Sequence, residues 1–386
     1  MGAIVLGGDY QGLNIVRSLG KQGIPVCVID DEQSIAHFSK YCSHFVKAAK
    51  LRTPEEIIEA LFDAARRFPI AGWILYPTRE EMVAAISRFR GQLSQTFRVP
   101  TPPWDVVERA WDKRRTYKLA NKLNIPTPRT MTPTSFEELN SIDAVNFPLA
   151  IKPAIRERFV YATRSKAWQA NNHQELNILY KKAVNLVGPG EIMIQEMIPG
   201  GGSQQYSYCA FFRDGKPVGK MTALRRRQHP LVFGKASTYV ETVEVPALEE
   251  YSERFLSAVN YYGLVELEYK LDPRDGQYKL LDVNARTWGY HSLGASAGVD
   301  FTYMLYRDQL GLAVTEASAQ AGVGWLRLTT DIPAAIMAMF AGELTFREYL
   351  TSLTKCRSDA VFSTEDPLPG IVEILLVPYL AAKRGF

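Results

Sequence analysis

The sequence predicts a parallel α/β domain joined to a larger mixed α+β unit. Three observations carry this: a strand, glycine turn, helix, strand order at the amino end, a proline-dense break near residue 100, and two alternating segments between residues 263 and 286 that read as antiparallel strands. "GAIVLGG" is a short buried strand, "DYQGLNIVRSLGKQG" a helix with a glycine stop, and "IPVCVID" a second strand, together a βαβ unit. "TPEEIIEALFDAARRF" is a well-capped amphipathic helix, "AGWILYPT" a strand and "EEMVAAISRF" another helix. "RVPTPPWD" is a stiff connector, so a first domain over residues 1–103 is expected. Beyond it, helix "WDVVERAWDKRRTYKLANKLN", strand "FPLAIKP", the helical stretch "SKAWQANNHQELNILYKKAVNLV" and strand "EIMIQEMIPGGG" precede a region dominated by strands. Helices return after Val299, and residues 313–386 are expected to be a mostly helical extension.

The chain of 386 residues suits two or three separate cores. Its 45 basic and 41 acidic side chains are too evenly balanced to call for nucleic acid. Cys27, Cys42, Cys209 and Cys356 are scattered with no C-x-x-C pair, which argues against a zinc knuckle or disulfide framework and points to a cytoplasmic location. "MGAIVLGGDYQG" reads as a first strand rather than a signal peptide, and no apolar run reaches the roughly 20 residues of a membrane span. The tail "GIVEILLVPYLAAKRGF" reads as a docked helix and turn, with interfacial contact left open. The Gly7, Gly8, Gly12 turn followed by Asp30 and Asp31 leaves a nicotinamide or flavin cofactor open, although the spacing fits a dinucleotide fingerprint poorly.

The chemistry concentrates in "GLVELEYKLDPRDGQYKLLDVNAR". Side chains alternate across a strand, so Glu266, Glu268 and Lys270 share one face, while Asp282, Asn284 and Arg286 share a face opposite Leu281, Val283 and Ala285. Asp275 and Gly276 mark the turn between the strands. A three-residue loop, Arg274 to Gly276, sets Glu268 against Asp282 and Glu266 against Asn284. Carboxylates opposed at roughly 4.5–5.5 Å repel, and a hard divalent cation between them relieves the repulsion. Magnesium typically takes one or two carboxylates and leaves its other positions to water and phosphate, so Glu268, Asp282 and the Asn284 amide oxygen form a candidate metal platform. Arg286, further along, is placed to hold an anionic oxygen. A solvated hairpin, its acids answered by Lys270, is the plainer alternative.

The pair "LVELEYK" and "LLDVNAR" resembles the metal-binding signature of the ATP-grasp superfamily, with Asp282 where members most often carry glutamate. Further parts follow in the family order. "WDKRRTYKLANKLNIPTP" resembles the segment whose lysine, here Lys113, approaches the phosphates; "FPLAIKP" resembles the strand whose lysine, here Lys152, contacts the α-phosphate and adenine edge. "IMIQEMIPGG" resembles the hinge, covering Gln195, where the carbonyl of Glu196 and the amide of Ile198 would read adenine. The resemblance implies an N-terminal Rossmann-like domain followed by a two-lobed ATP-grasp fold over residues 104–312, the smaller lobe at about 130–198.

Two departures stand out. The phosphate-covering loop, usually glycine-rich, corresponds to "AIRERFVYATRSK", which has no glycine and offers Arg156, Arg158, Arg164 and Lys166 instead. The acid usually found for the ribose is missing, leaving Ser203 or Gln204 to substitute. "MTALRRRQHP" places Arg225, Arg226 and Arg227 before the hairpin, and Arg225 and Arg227 join Arg286 as candidates for stabilising developing oxyanions. The resemblance implies ATP and Mg2+ as cofactors. It further implies a carboxylate–amine ligase working through an acyl phosphate, with small-molecule carboxylate and amine substrates, an acidic amino acid or peptide among them, no stable membrane insertion, and a homodimer as an option. An ATP-dependent kinase or a nucleotide-binding sensor on the same platform is the competing class.

Overall fold

The computed structural model describes residues 1–140, 146–230, 234 and 236–384. At the amino end, β1 (Ala3–Leu6), β2 (Val26–Asp30), β3 (Cys42–Lys47) and β4 (Ile74–Pro77) form a parallel sheet in the order β3-β2-β1-β4. Local sequence sets the crossovers. Asp9 caps helix Tyr10–Gly20 by accepting from Gln11 N, and Thr53 with Glu56 forms a reciprocal capping box at helix Pro54–Arg67. Gly12 lets that first helix approach the turn, because a Cβ there would stand 2.1 Å from the Gly7 carbonyl oxygen.

At the same turn, groups that a dinucleotide would use are engaged within the chain. A cofactor phosphate would need its free amides, but Gly8 N donates to Asp30 Oδ2 at 2.7 Å. Arg79 bridges the two acids, at 2.5 Å to Asp30 and 2.9 Å to Asp31, so neither carboxylate is left for a ribose.

The connector is packed rather than extended into solvent: Pro100, Thr101 and Pro102 are buried, and Ser87 Oγ donates to the Pro102 carbonyl at 2.7 Å. It leads to helices Trp104–Trp111 and Lys113–Lys122, then to a small antiparallel sheet. That sheet has the order β5-β8-β6-β7, from β5 (Thr130–Met131), β6 (Leu149–Pro153), β7 (Trp168–Ala170) and β8 (Ile192–Glu196). Helix His173–Val187 covers it, with Leu149, Phe159, Tyr180 and Ile194 in a core of its own.

The central sheet holds β9 (Gln205–Arg213), β10 (Lys216–His229), β11 (Ala236–Val243), β12 (Gly263–Leu271) and β13 (Tyr278–Asn284). Its order is β13-β12-β9-β10-β11, continued by β15 (Gly324–Leu326) and β16 (Cys356–Asp359), while β14 (Ala317–Ser318) pairs with β10. The stretch beyond residue 313 therefore supplies strands to this sheet as well as helices Leu328–Phe340, Phe346–Thr354 and Leu368–Arg384. One apolar core runs from Val5 and Leu13 through Phe211, Trp288 and Trp325 to Val361, tying the first sheet, the central sheet and the C-terminal stretch together. Trp288 and Trp325 are fully buried there, and truncating a residue of that size costs roughly 3–5 kcal/mol.

Candidate active site

The site is built on the hairpin β12–β13, where Glu268 is paired with Asp282 and Glu266 with Asn284. A different device produces this register from the one the sequence suggests. Near the turn the pairs are Leu271 with Tyr278 and Tyr269 with Leu280, one residue out of step, and a bulge between Leu280 and Asp282 restores the alignment. Gly276 does take a positive φ of 69° in the turn. Leu281 is consequently the bulge residue and not part of the apolar face; Leu280, Val283 and Ala285 pack into the core with Val265, Leu267 and Tyr269. The carbonyl that the bulge exposes, Leu281 O, accepts from Tyr117 Oη at 2.9 Å.

Three carboxylates and their partners now meet on one face. Asn284 Nδ2 donates to Glu266 Oε2 at 2.9 Å and to Glu268 Oε1 at 3.2 Å. Tyr290 Oη donates to Glu266 Oε1 at 2.6 Å. Burial, and then the neighbouring charge of Glu268, pushes the Glu266 carboxyl up to about 7. Glu268 Oε2 accepts from Gln205 Nε2 at 2.5 Å and lies 3.7 Å from the Arg225 guanidinium. Lys113 pairs with Asp282. Lys270, the residue that would have answered these acids in a plain surface hairpin, instead donates to Ile198 O at 2.8 Å.

Helix Lys113–Lys122 reaches the small lobe as well. Lys152 Nζ on β6 donates to Tyr117 Oη at 2.8 Å, one turn along from Lys113. Burial, with the charge of Lys113 nearby, pushes Lys152 down to about 7. The hinge is stitched to the hairpin turn: Glu196 accepts from Arg129 N at 2.8 Å, from Arg274 at 2.9 Å and from Lys279 at 3.4 Å. Arg274 and Lys279 also hold the buried Asp272 carboxyl well below its usual range. Gln195 Nε2 donates to Thr130 Oγ1 at 2.7 Å, fixing β8 against β5. Ser203 is exposed and Gln204 half-buried in the single turn Gly202–Gln204, with Gln204 Oε1 buried and without a hydrogen-bond partner.

The three consecutive arginines separate. Arg225 is buried beside the site, donating to Gln205 Oε1 at 3.0 Å and Gln228 Oε1 at 3.3 Å. A β-bulge follows, and Arg226 turns outward to Glu241 at 3.2 Å. Arg227, read from the sequence as an oxyanion stabiliser, is committed elsewhere: it holds Asp331 bidentately at 2.8 Å and 2.8 Å, donates to Ser352 Oγ at 2.9 Å and stacks against Tyr239. Three of its five N–H donors go to these partners, and the group is buried away from the hairpin acids. Arg286 stays at the site, but its partner was not foreseen. Glu80, at the head of the helix after β4, binds it at 2.6 Å, and Arg286 Nη2 lies 3.5 Å from Asn284 Oδ1.

The expected phosphate loop is a helix, Arg156–Thr163, and its contacts are specific. Tyr161 Oη donates to Glu81 Oε1 at 2.9 Å, and Lys166 Nζ donates to Gly234 O at 2.8 Å across to the central sheet. The Arg156 side chain lies outside the described residues. Gln205, Tyr117, Glu80 and Tyr290 are the residues that sequence reasoning missed. Only Tyr117 carried a local signal, its i+4 spacing from Lys113.

As a magnesium seat the residues fit in part. Glu268 and Asp282 oppose each other across the hairpin and supply the hard oxygens such an ion takes. Asn284 presents its amide nitrogen to the acids and its oxygen to Arg286, so it acts as a clamp on the carboxylates. Among the described residues no group of three His, Cys, Asp or Glu is arranged to hold a metal.

No family model matches the sequence. The chain is 24% identical over 301 residues to the D-aspartate ligase of Enterococcus faecium, covering 73% of this chain and 70% of the relative. It is 22% identical over 229 residues to the C-terminal section of the carbamoyl phosphate synthase large chain of Methanopyrus kandleri, covering 54% of this chain and 40% of that protein. Among solved structures it resembles the L-amino acid ligase of Bacillus licheniformis, with a TM-score of 0.59, 15% identity and coverage of 80% of this chain and 74% of the other. It also resembles the biotin carboxylase domain of the Hydrogenobacter thermophilus 2-oxoglutarate carboxylase, in complex with MgADP and bicarbonate, with a TM-score of 0.66, 15% identity and coverage of 83% and 73%. The chain has the ATP-grasp fold. The ATP-grasp resemblance read from the hairpin is thus borne out, and the expectation of an ATP- and magnesium-using ligase agrees with ATP-grasp relatives that include two named ligases and a MgADP complex.

Proposed function

We propose that the protein is an ATP- and Mg2+-dependent carboxylate–amine ligase that activates its carboxylate as an acyl phosphate and takes an acidic amino acid or peptide. The observation that carries this is the meeting of Glu268 and Asp282 with Lys113, Arg225 and Arg286 on one face of β12–β13. Glu268 and Asp282 would hold magnesium, which neutralises β- and γ-phosphate charge when bound.

The chain's own residues do the positioning. Lys113 and Lys152, joined through Tyr117, present two ammonium groups from two different elements toward the phosphates. Glu196 and Ile198, fixed by Arg274 and Lys270, hold the hinge against the hairpin so that the lobes keep a set distance for the nucleotide. A carboxylate oxygen of the substrate attacks the γ-phosphorus and ADP departs. The amine then attacks the acyl carbon, loses a proton, and inorganic phosphate leaves. Arg286, oriented by Glu80, and Arg225 lie beside the hairpin acids and would stabilise the oxyanions that form.

An acidic substrate is supported by the D-aspartate ligase relative, whose name specifies an acidic amino acid. The test is ADP release from ATP and Mg2+ with a panel of acidic amino acids and peptides, with and without amines, with hydroxylamine as the trap. Full turnover only with both substrates, and a hydroxamate when hydroxylamine replaces the amine, is the expected result. ADP release with one acceptor alone and a phosphorylated product would make it a kinase; nucleotide binding without turnover would make it a sensor.

A further inference from the structure

Of the nineteen large apolar side chains exposed among the described residues, twelve lie between Ile332 and Tyr379. They belong to the helices Leu328–Phe340, Phe346–Thr354 and Leu368–Arg384, and their distribution is the reverse of an ordinary surface helix. In helix Leu328–Phe340 the only charged residue, Asp331, is wholly buried against Arg227. In helix Leu368–Arg384 the only charge before Lys383, Glu373, is buried against Arg327 at 2.5 Å. Each described residue of these two helices that is exposed is apolar: Ile332, Pro333, Ile336, Met337 and Phe340 on one, and Leu368, Ile371, Ile374, Leu375, Val377, Pro378 and Tyr379 on the other.

The helices form one surface. Glu373 also accepts from Thr329 Oγ1 at 3.2 Å, and Arg227 joins Asp331 to Ser352 of the middle helix. Phe340 and Phe346, 90% and 66% exposed, project from either side of the turn between two of them. Summed over the helices, the exposed apolar area is on the order of 1,000 Å2, where the largest patch on a typical monomer is roughly 300–600 Å2; Arg347, Glu348, Thr351 and Thr354 are exposed on the middle helix beside it.

We propose that this face docks on an anionic lipid bilayer. Two features favour lipid over a protein partner. A protein interface of this size brings about one hydrogen bond per 100–200 Å2, yet among the described exposed side chains of the two outer helices the Tyr379 hydroxyl is the one donor or acceptor; a hydrocarbon boundary asks for none. The second is charge, read from the sequence: the apolar run that contains Tyr379 is followed by Lys383 and Arg384, a basic pair of the kind that anionic headgroups attract. No helix of the described residues is long and apolar enough to cross a membrane, so the helices lie on the bilayer and do not span it. The proposal does not depend on the ligase reading.

The experiment is flotation of the full chain with vesicles of phosphatidylglycerol and phosphatidylcholine, against phosphatidylcholine alone. The chain floats with the anionic vesicles and is released by salt. Leu375→Glu and Phe340→Glu each lower the bound fraction on the order of ten-fold, and Lys383→Gln or Arg384→Gln about five-fold each. Ile178→Glu, at a position 60% exposed on the small lobe, leaves binding unchanged. The proposal is overturned if the chain stays in the aqueous phase, if Leu375→Glu floats like the wild type, or if light scattering finds a dimer that Leu375→Glu and Phe340→Glu dissociate, which would give the face to a second copy of the chain.

Discussion

Glu268→Gln separates a metal seat from a structural polar cluster. Glu266 and Glu268 stand on the same face of β12, two residues and hence about 7 Å apart, where two carboxylates at an effective dielectric of about 20 repel by about 2 kcal/mol. Removing the Glu268 charge relieves that repulsion. It also weakens the 2.5 Å bond from Gln205 and the attraction of Arg225, a loss of about 1 kcal/mol. The difference is about 1 kcal/mol, and for a chain of this length about 1 °C of Tm corresponds to 1 kcal/mol, so the ligand-free variant should melt within about 1 °C of the wild type. MgATP at a hundred times its Kd stabilises the wild type by about 2.7 kcal/mol, a rise of about 3 °C, and the variant should show none. Differential scanning fluorimetry with and without MgATP reads both. A ligand-free variant that melts many degrees lower would mean Glu268 serves only to anchor Gln205 and Arg225; an undiminished MgATP shift would remove it from the metal seat.

Lys152 sets a pH dependence. Its folded value of about 7 lies below the ordinary lysine value of 10.5, so between these pH values the unfolded chain alone binds the proton and stability rises with pH; Lys152→Met should flatten that rise in urea melts, and in the wild type MgATP affinity by calorimetry should fall as pH climbs through 7. Lys113→Gln, which removes the partner of Asp282, should raise the ATP KM on the order of ten- to hundred-fold, the worth of a charge-assisted bond. Arg227→Ala strips a buried carboxylate of its partner and should cost roughly 3–5 kcal/mol in stability, read by thermal melts, while turnover per folded molecule stays within about two-fold; a collapse of kcat in well-folded protein would return Arg227 to the active site. Glu80→Gln should lower kcat and leave ATP affinity unchanged in steady-state kinetics, because it loosens Arg286 and touches no nucleotide residue.

What could be read in the sequence was what period and local capping encode. The alternation in "LVELEYK" and "LLDVNAR" placed Glu266, Glu268, Asp282 and Asn284 on one face, and the pairing agrees. Helix Lys113–Lys122 and strands β6 and β8 were likewise legible, since each has its own pattern and stop signals. The bulge at Leu281 was not, because one extra residue changes no composition and its signature is only the displaced register. Nor were long-range partners. Asp331 lies 104 residues from Arg227 and Glu80 lies 206 from Arg286, and nothing local distinguishes an arginine that meets substrate from one that meets a buried acid. In the first domain the glycine turn was visible, but whether Asp30 faces a ribose or closes back on Gly8 depends on a side-chain rotamer.

The arginine run on β10 shows how such partners divide one segment into separate roles. A regular strand would carry Arg225 and Arg227 to the same face, two cations side by side. The bulge at Arg226 breaks that equivalence: Arg225 turns to Gln205 and Glu268, while Arg227 is drawn into the acid of helix Leu328–Phe340. Burying Asp331 without Arg227 would be prohibitive, and the same pairing leaves that helix's outer face uniformly apolar. One irregularity therefore sets both the cation beside the proposed metal seat and the orientation of the helix that forms the lipid-facing surface. The two sites meet within three residues of a single strand.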